Sequence, residues 1–171
     1  ELQVRVLQPT SARVVVVCLN VSTLAYAWEG TNPELLEQLV GVATTLIQQF
    51  MQDGYRVGLV SNGSLAYADQ PFRVPPGNSP AHQAHLLTAL ASVTPFVTGS
   101  FDRFLLAEAS RLPYGAALLI VTAFVSDELL EALVRLKQHS RKLSLLSLAQ
   151  EAPPEIPGVQ VFHLPFSAEA A

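Results

Sequence analysis

Four stretches of the chain are apolar at consecutive or nearly consecutive positions: Val14–Leu19, Val57–Val60, Ala116–Val121 and Leu143–Leu148. A strand takes this composition when both of its faces are covered, as in a parallel sheet flanked by helices. Between these runs the apolar spacing becomes helical. Asn32-Pro33-Glu34 is a helix start, with Asn32 as the cap and Pro33 in the first turn, where its missing N–H has no partner to lose. Leu35, Leu36, Leu39, Ala43, Leu46, Ile47 and Phe50 then follow one face until Gly54 stops the helix. Ser79-Pro80 opens a second helix carrying Leu86, Leu87 and Leu90. A third runs from about Ser100, with Phe101, Phe104, Leu105 and Glu108 on one side and Pro113 beyond its end. A fourth starts at Ser126-Asp127-Glu128 and is expected to bury Leu129, Leu130, Leu133 and Val134.

An extended piece around Phe72–Val74 and a last strand at Val159–His163 complete the order. Strands alternating with helices predict an α/β fold: a doubly wound, mostly parallel central sheet flanked by helices, Rossmann-like in architecture. Residues 13–165 form the predicted domain. Residues 1–12, with the alternation Leu2-Gln3-Val4-Arg5-Val6, read as the end of a preceding segment or an edge strand, and 166–171 as a tail. Pro75-Pro76-Gly77 and Glu151-Ala152-Pro153-Pro154 read as loops. In such sheets ligands meet the carboxyl ends of the strands. Those ends are expected at Asn20–Thr23, Ser61–Ser64, Thr122–Val125 and Leu148–Gln150.

Composition narrows the function classes. Only 14% of the residues are charged, against about 25% in an average soluble domain, which predicts a surface partly covered in its natural setting. The net charge of −4 and ten scattered Lys and Arg leave no footprint for nucleic acid. The one basic cluster, Arg135, Lys137, His139, Arg141 and Lys142, is read as complementing the dipole at the end of the fourth helix. No apolar run approaches the roughly 20 residues that span a bilayer. Cys18, the single cysteine, excludes an internal disulfide and reads as a buried small hydrophobe. His82 and His85 lie three apart on one helix without a third ligand nearby and read as solvated. Ser61-Asn62-Gly63-Ser64 reads as a turn at a strand end that Gly63 permits. Neither a Gly-x-Ser-x-Gly elbow nor a phosphate-binding glycine loop is present, so nucleophilic and nucleotide chemistry have little support.

The most informative motif is Leu19-Asn20-Val21-Ser22-Thr23, after the first buried strand. Its place is similar to that of Asp-x-Ser-x-Ser in a von Willebrand factor A-like domain, where oxygen ligands hold a divalent cation. By that resemblance Asn20 stands at the first acid, Ser22 at the first serine and Leu24 at the second. Thr98 or Ser100 falls at the threonine before the third helix, and Thr122-Ala123-Phe124 at a Thr-Asp-Gly. Both carboxylates are replaced, and hard cations such as Mg²⁺ normally need them.

Over nearly its whole length the chain resembles the domain of unknown function 58 family. Val4–Thr10, Tyr55–Ser64, Pro75-Pro76-Gly77, Leu105–Ala109 and Leu112–Ala116 carry that resemblance. It implies a pair of membrane helices preceding Glu1, a position on the cytoplasmic face of a bacterial membrane, and a MoxR-type AAA+ ATPase among the partners. The expected function is a non-catalytic protein-binding or scaffolding module with a degenerate metal-ion-dependent adhesion site and no cofactor. Alternatives are an adhesion-type module that completes a Mg²⁺ shell with a partner's carboxylate, and an unrecognised enzyme on the same fold. Candidate partner-binding residues are Asn20, Ser22, Thr23, Tyr26 and Trp28 after the first strand, Ser61 and Asn62 after the second, and Thr98, Ser100 and Thr122. Loops bearing such a site are expected to be less charged than the rest and to leave Tyr26 or Trp28 at least partly exposed.

Overall fold

The computed structural model describes residues 13–167. The reading of residues 1–12 therefore lies outside the described residues. Strand β1 (Val14–Leu19) is the centre of a seven-stranded sheet. It runs parallel to β2 (Arg56–Leu65) on one side, from Val14↔Arg56 to Leu19↔Ser61, and to β5 (Ala117–Thr122) on the other. Beyond β5 lie β6 (Lys142–Ser147) and β7 (Gln160–His163), also parallel, and β3 (Pro71–Gly77) runs antiparallel along the outer edge of β2.

The consecutive apolar runs have the predicted cause. Val15, Val17 and Leu19 point to one face, where they meet Leu39 and Ile47 of α1 (Pro33–Gln52) and Leu86 of α2 (Pro80–Ala91). Val16 and Cys18 point to the other, against Leu105 of α3 (Phe101–Ala109) and Leu133 of α4 (Asp127–Gln138). With two helices on each face, Val15–Leu19 of the central strand are all buried, which period-two alternation cannot supply. The helix starts are chemical as read: Asn32 Oδ1 accepts from the N–H groups of Glu34 and Leu35, and Ser126 Oγ from that of Leu129. Gly54 ends α1 in the left-handed region, at φ +85°. No described helix is long and apolar enough to cross a membrane.

Several expectations are corrected. Ser61–Ser64 is not a turn: β2 continues through it to Leu65, and β4 (Val93–Val97), which the apolar pattern did not announce, pairs with Gly63, Ser64 and Leu65. Because β3 holds the other edge of β2 as far as Pro71↔Ser64, β4 takes the edge that β1 has left. Gly63 serves close approach: a Cβ there would lie 2.8 Å from both Thr94 O and Val21 Cγ2. Val134 is exposed, and Ala132 takes its place in the core. His82 is half-buried, and its Nε2–H donates to Val57 O at 2.7 Å. Phe166, assigned to the tail, donates its N–H to Leu148 O and packs on the core.

Arg141 departs furthest from its reading. It is buried, and its guanidinium donates to Pro113 O at 2.8 Å, Leu112 O at 3.2 Å and Ala109 O. It thus satisfies the last carbonyl of α3, at Ala109, and two in the segment that follows, so the dipole it complements belongs to that helix and not to α4. Cys18 is fully buried; burial, and secondarily the Glu108 carboxylate, push its thiol up to about 12, so it is a neutral hydrophobe at physiological pH. Glu108 is buried on α3 and binds Arg73 of β3 at 2.6 Å, fastening the edge strand to the helical layer.

The contact at Gly63 generates a test. Gly63→Ala must displace a backbone carbonyl or a core valine, and is expected to lower unfolding free energy by about 1–3 kcal/mol, measured by urea denaturation.

Candidate functional site

At the carboxyl end of the sheet the strands diverge, and backbone groups lose their ladder partners. Asn20 N–H still donates to Val121 O across the β1–β5 ladder, at 2.9 Å. The next N–H, of Val21, has left the sheet, and Asn62 Oδ1 on β2 accepts it at 3.0 Å. That bond identifies which atom of the Asn62 amide is oxygen, so its other end is the donor. Asn62 Nδ2 donates to Asn20 Oδ1 at 3.0 Å, which also accepts the Ser22 N–H at 3.0 Å. Asn20 Nδ2 then donates to Thr122 Oγ1 at 3.1 Å, and the Thr122 hydroxyl passes its own proton to Phe124 O at 2.7 Å. A chain of neutral groups, with Asn20, Asn62 and Thr122 buried at its centre, therefore joins β1, β2 and β5 at their tips.

Thr23 continues the construction outward. Its Oγ1 accepts the Asn32 N–H at 2.8 Å, fixing the start of α1 to the end of β1. The intervening loop projects, with a short 3₁₀ turn at Ala27–Glu29. Tyr26 and Trp28 stack there at 4.4 Å between centroids and 14° between planes, 53% and 80% exposed. Opposite stand Pro95–Val97 of β4 and the segment Thr98-Gly99-Ser100 that leads into α3. Between the walls opens a cleft of about 940 Å³, lined on one side by Ser22, Leu24 and Tyr26 and on the other by Phe96, Thr98 and Ser100. Phe124 and Glu128 close its third side, and Asp102 and Arg103 project from the first turn of α3.

The ten candidate residues separate accordingly. Ser22, Tyr26, Thr98 and Ser100 line the cleft with accessible atoms, and Trp28 covers Tyr26. Asn20 and Thr23 line it as well but are buried and hydrogen-bonded. Ser61, Asn62 and Thr122 do not line the cleft: they are buried, because β2 runs on past Ser61 and Asn62 and Thr122 belong to the network. The cleft is also not less charged than its surroundings, since Asp102, Arg103 and Glu128 line it. Phe96 and the β4 wall were missed. Their segment, Val93-Thr94-Pro95-Phe96-Val97, is β-branched and aromatic around a proline, and that composition is its one signal in the sequence. Among the described residues no three His, Cys, Asp or Glu side chains gather as metal ligands.

Comparison with known proteins supports the architecture. No family model matches the chain, and no curated protein sequence matches it. Solved structures do. An aerotolerance-related membrane protein from Bacteroides fragilis NCTC 9343, carrying multiple mutations to serines, aligns at 18% identity and a TM-score of 0.53 over 85% of this chain and 73% of that one. The SpRpn10 VWA domain aligns at 12% identity and a TM-score of 0.57, over 92% and 90%. The open conformation of the pilus adhesin SpaC from Lactobacillus rhamnosus GG aligns at 14% and 0.50, over 81% of this chain and 24% of its own. At these identities the likeness is one of fold, and the fold is von Willebrand factor A-like.

Because Asn62 serves both Val21 and Asn20, its loss strands a buried N–H and half-empties the Asn20 oxygen. Asn62→Ala is expected to cost about 1–3 kcal/mol of stability for the unsatisfied groups, read by thermal or urea unfolding.

Proposed function

We propose that this chain is a non-catalytic docking module whose carboxyl-edge cleft receives a protein partner. The observation that carries the reading is the stacked pair Tyr26–Trp28, two large rings left exposed on the rim of an open cleft. Aromatic side chains contribute large contact area with little conformational entropy to lose, and interface hot spots are rich in them. Catalysis has no comparable support, since no histidine or cysteine lines the cleft.

The metal-dependent adhesion site that this fold often carries is, on our reading, degenerate. Asn20 Oδ1, which stands where a ligating carboxylate would, already accepts two N–H groups. Thr122 Oγ1 both accepts and donates. Ala123 offers no side-chain oxygen and is buried. Ser22, Thr98 and Ser100 remain as neutral donors, and neutral oxygens alone rarely compensate the dehydration of Mg²⁺. The donor set does not fit the ion. The alternative in which a partner's carboxylate completes a Mg²⁺ shell would need the network around Asn20 to open first.

The sequence resemblance to the domain of unknown function 58 family and the membrane protein among the structural neighbours favour placing the domain beside a bacterial membrane. The same resemblance makes a MoxR-type AAA+ ATPase the first partner to test. Immobilised domain is expected to retain that ATPase, and Trp28→Ala or Tyr26→Ala to weaken retention about tenfold or more without changing the melting temperature. Retention unchanged in both variants would move the interface off the cleft.

A second expectation concerns the ion. Millimolar Mg²⁺ should give no saturable heat in calorimetric titration and no rise in melting temperature, since a ligand specific to the folded state would raise it. Asn20→Asp with Ala123→Asp should gain a Mg²⁺-dependent rise. A clear stabilisation of the unmodified domain would establish the adhesion-type alternative.

A further inference from the structure

Charge is unevenly distributed along the strand direction of this domain, with Asp53 near Arg56 and Arg103 beside Asp102 as exceptions. At the amino ends of the strands stand Arg13, Arg56 and Lys142, with Arg135 and Lys137 in the last turn of α4. At the carboxyl ends stand Glu29 in the 3₁₀ turn, Glu34 in the first turn of α1, Asp102 in that of α3, and Asp127 and Glu128 in that of α4. Among the described Lys and Arg, Arg103 alone lines the cleft. Helix dipoles account for the helical members of this pattern. They do not account for Arg56 and Lys142, which begin strands, or for Arg13, just before one; Glu29 is placed by its own turn, where its carboxylate accepts the Tyr26 N–H at 3.4 Å.

The ion pairs among the described residues all involve Glu108, so Asp102 and Glu128 face the cleft without a cationic partner. The stacked rings of Tyr26 and Trp28 present π faces beside them. Carboxylates and exposed aromatic faces together favour one side chain above others: a guanidinium, which pairs with the first and stacks on the second. A partner's carboxylate would find one cation there, Arg103, against the two carboxylates of Asp102 and Glu128. Resting on the docking function proposed above, we infer that the occupant of the cleft is an arginine-bearing extended segment of a partner protein, and that charge complementarity selects it.

Trp28 is the only tryptophan and reports on its own site. The probes are three blocked octapeptides in which leucine alternates with arginine, glutamine or glutamate, titrated against the whole chain while Trp28 emission is followed. The arginine peptide is expected to give a saturable change at least tenfold tighter than the glutamine peptide. Its affinity should fall as salt rises from about 0.05 to 0.3 M, where the Debye length shrinks below 10 Å. Asp102→Asn with Glu128→Gln should weaken it tenfold or more, while the melting temperature falls by no more than about a few degrees through the lost helix-dipole contribution. Asp53→Asn with Glu155→Gln, which removes the same charge away from the cleft, should not. Equal weakening by both pairs would mean attraction to net charge alone, and overturns the inference. A Trp28 response to the glutamine or glutamate peptide as tight as to the arginine one overturns it while leaving the docking function standing. Absence of any response to the arginine peptide also overturns it, and the docking function then rests on the ATPase retention experiment. Sedimentation covers the remaining occupant: a concentration-dependent dimer abolished by Asp102→Asn with Glu128→Gln would assign the cleft to the basic end of a second copy, against the inference.

Discussion

The geometry of the cleft depends on a buried pair of amides. Where β1 leaves the sheet, the Val21 N–H has no strand beside it, and a buried donor without an acceptor is strongly disfavoured. Asn62 meets that need from β2, and in doing so places its Nδ2 against Asn20. Asn20 then orients Ser22 and reaches Thr122 on β5. Three strand tips are thereby held in one arrangement by neutral hydrogen bonds, each oriented by its neighbour. The loop that carries Tyr26 and Trp28 begins from this fixed point and is tied down again at Thr23 and Asn32. The aromatic pair is thus presented from a tethered base, which would limit the entropy lost in the docking proposed for it.

The periphery is held differently, by buried cations and anions set against fixed partners. Arg73 on the edge strand reaches across to Glu108 of α3, and one oxygen of that carboxylate, Oε2, has no hydrogen-bond partner. Arg141 replaces water at the end of α3 with a guanidinium that spans several carbonyls. Both contacts anchor α3, the helix whose first turn forms a wall of the cleft. A buried guanidinium is tolerable here because its donors meet oriented dipoles, and the partial negative charge of a helix end supplies the attraction that a carboxylate would otherwise give.

Most of the fold was legible because its signal is local. Consecutive apolar residues such as Val14–Leu19 have few explanations other than a doubly covered strand, and Asn32-Pro33 and Ser126-Asp127 mark helix starts through chemistry within three residues. What escaped was long-range. Nothing near Ser61 in sequence says that β4 will run alongside it, so a continuing strand read as a turn. Arg141 sat in a basic cluster and read as one more solvated charge, because the helix end it serves lies about thirty positions earlier. The site was half legible for the same reason. Asn20, Ser22, Thr98 and Ser100 could be placed through a resemblance and Tyr26 and Trp28 through their loop, whereas the sorting of buried from accessible residues needed the pairings of three distant segments.

Asn20 and Ala123 also bear on how such a cleft can persist without an ion. Two carboxylates buried together at the strand tips would repel one another, and one would take up a proton unless a cation lay between them. An amide at position 20 has nearly the shape of the acid and adds two donors. One of them meets Thr122 Oγ1, the atom a carboxylate would confront with a lone pair. Alanine at position 123 removes the second charge instead of pairing it. On the proposed reading of a degenerate site that repulsion never arises, and the tips meet through hydrogen bonds between neutral groups. The negative charge of Asp102 and Glu128 lies outward, on the first turns of α3 and α4. Under that reading the electrostatic attraction of the site would lie at its rim and not at its floor.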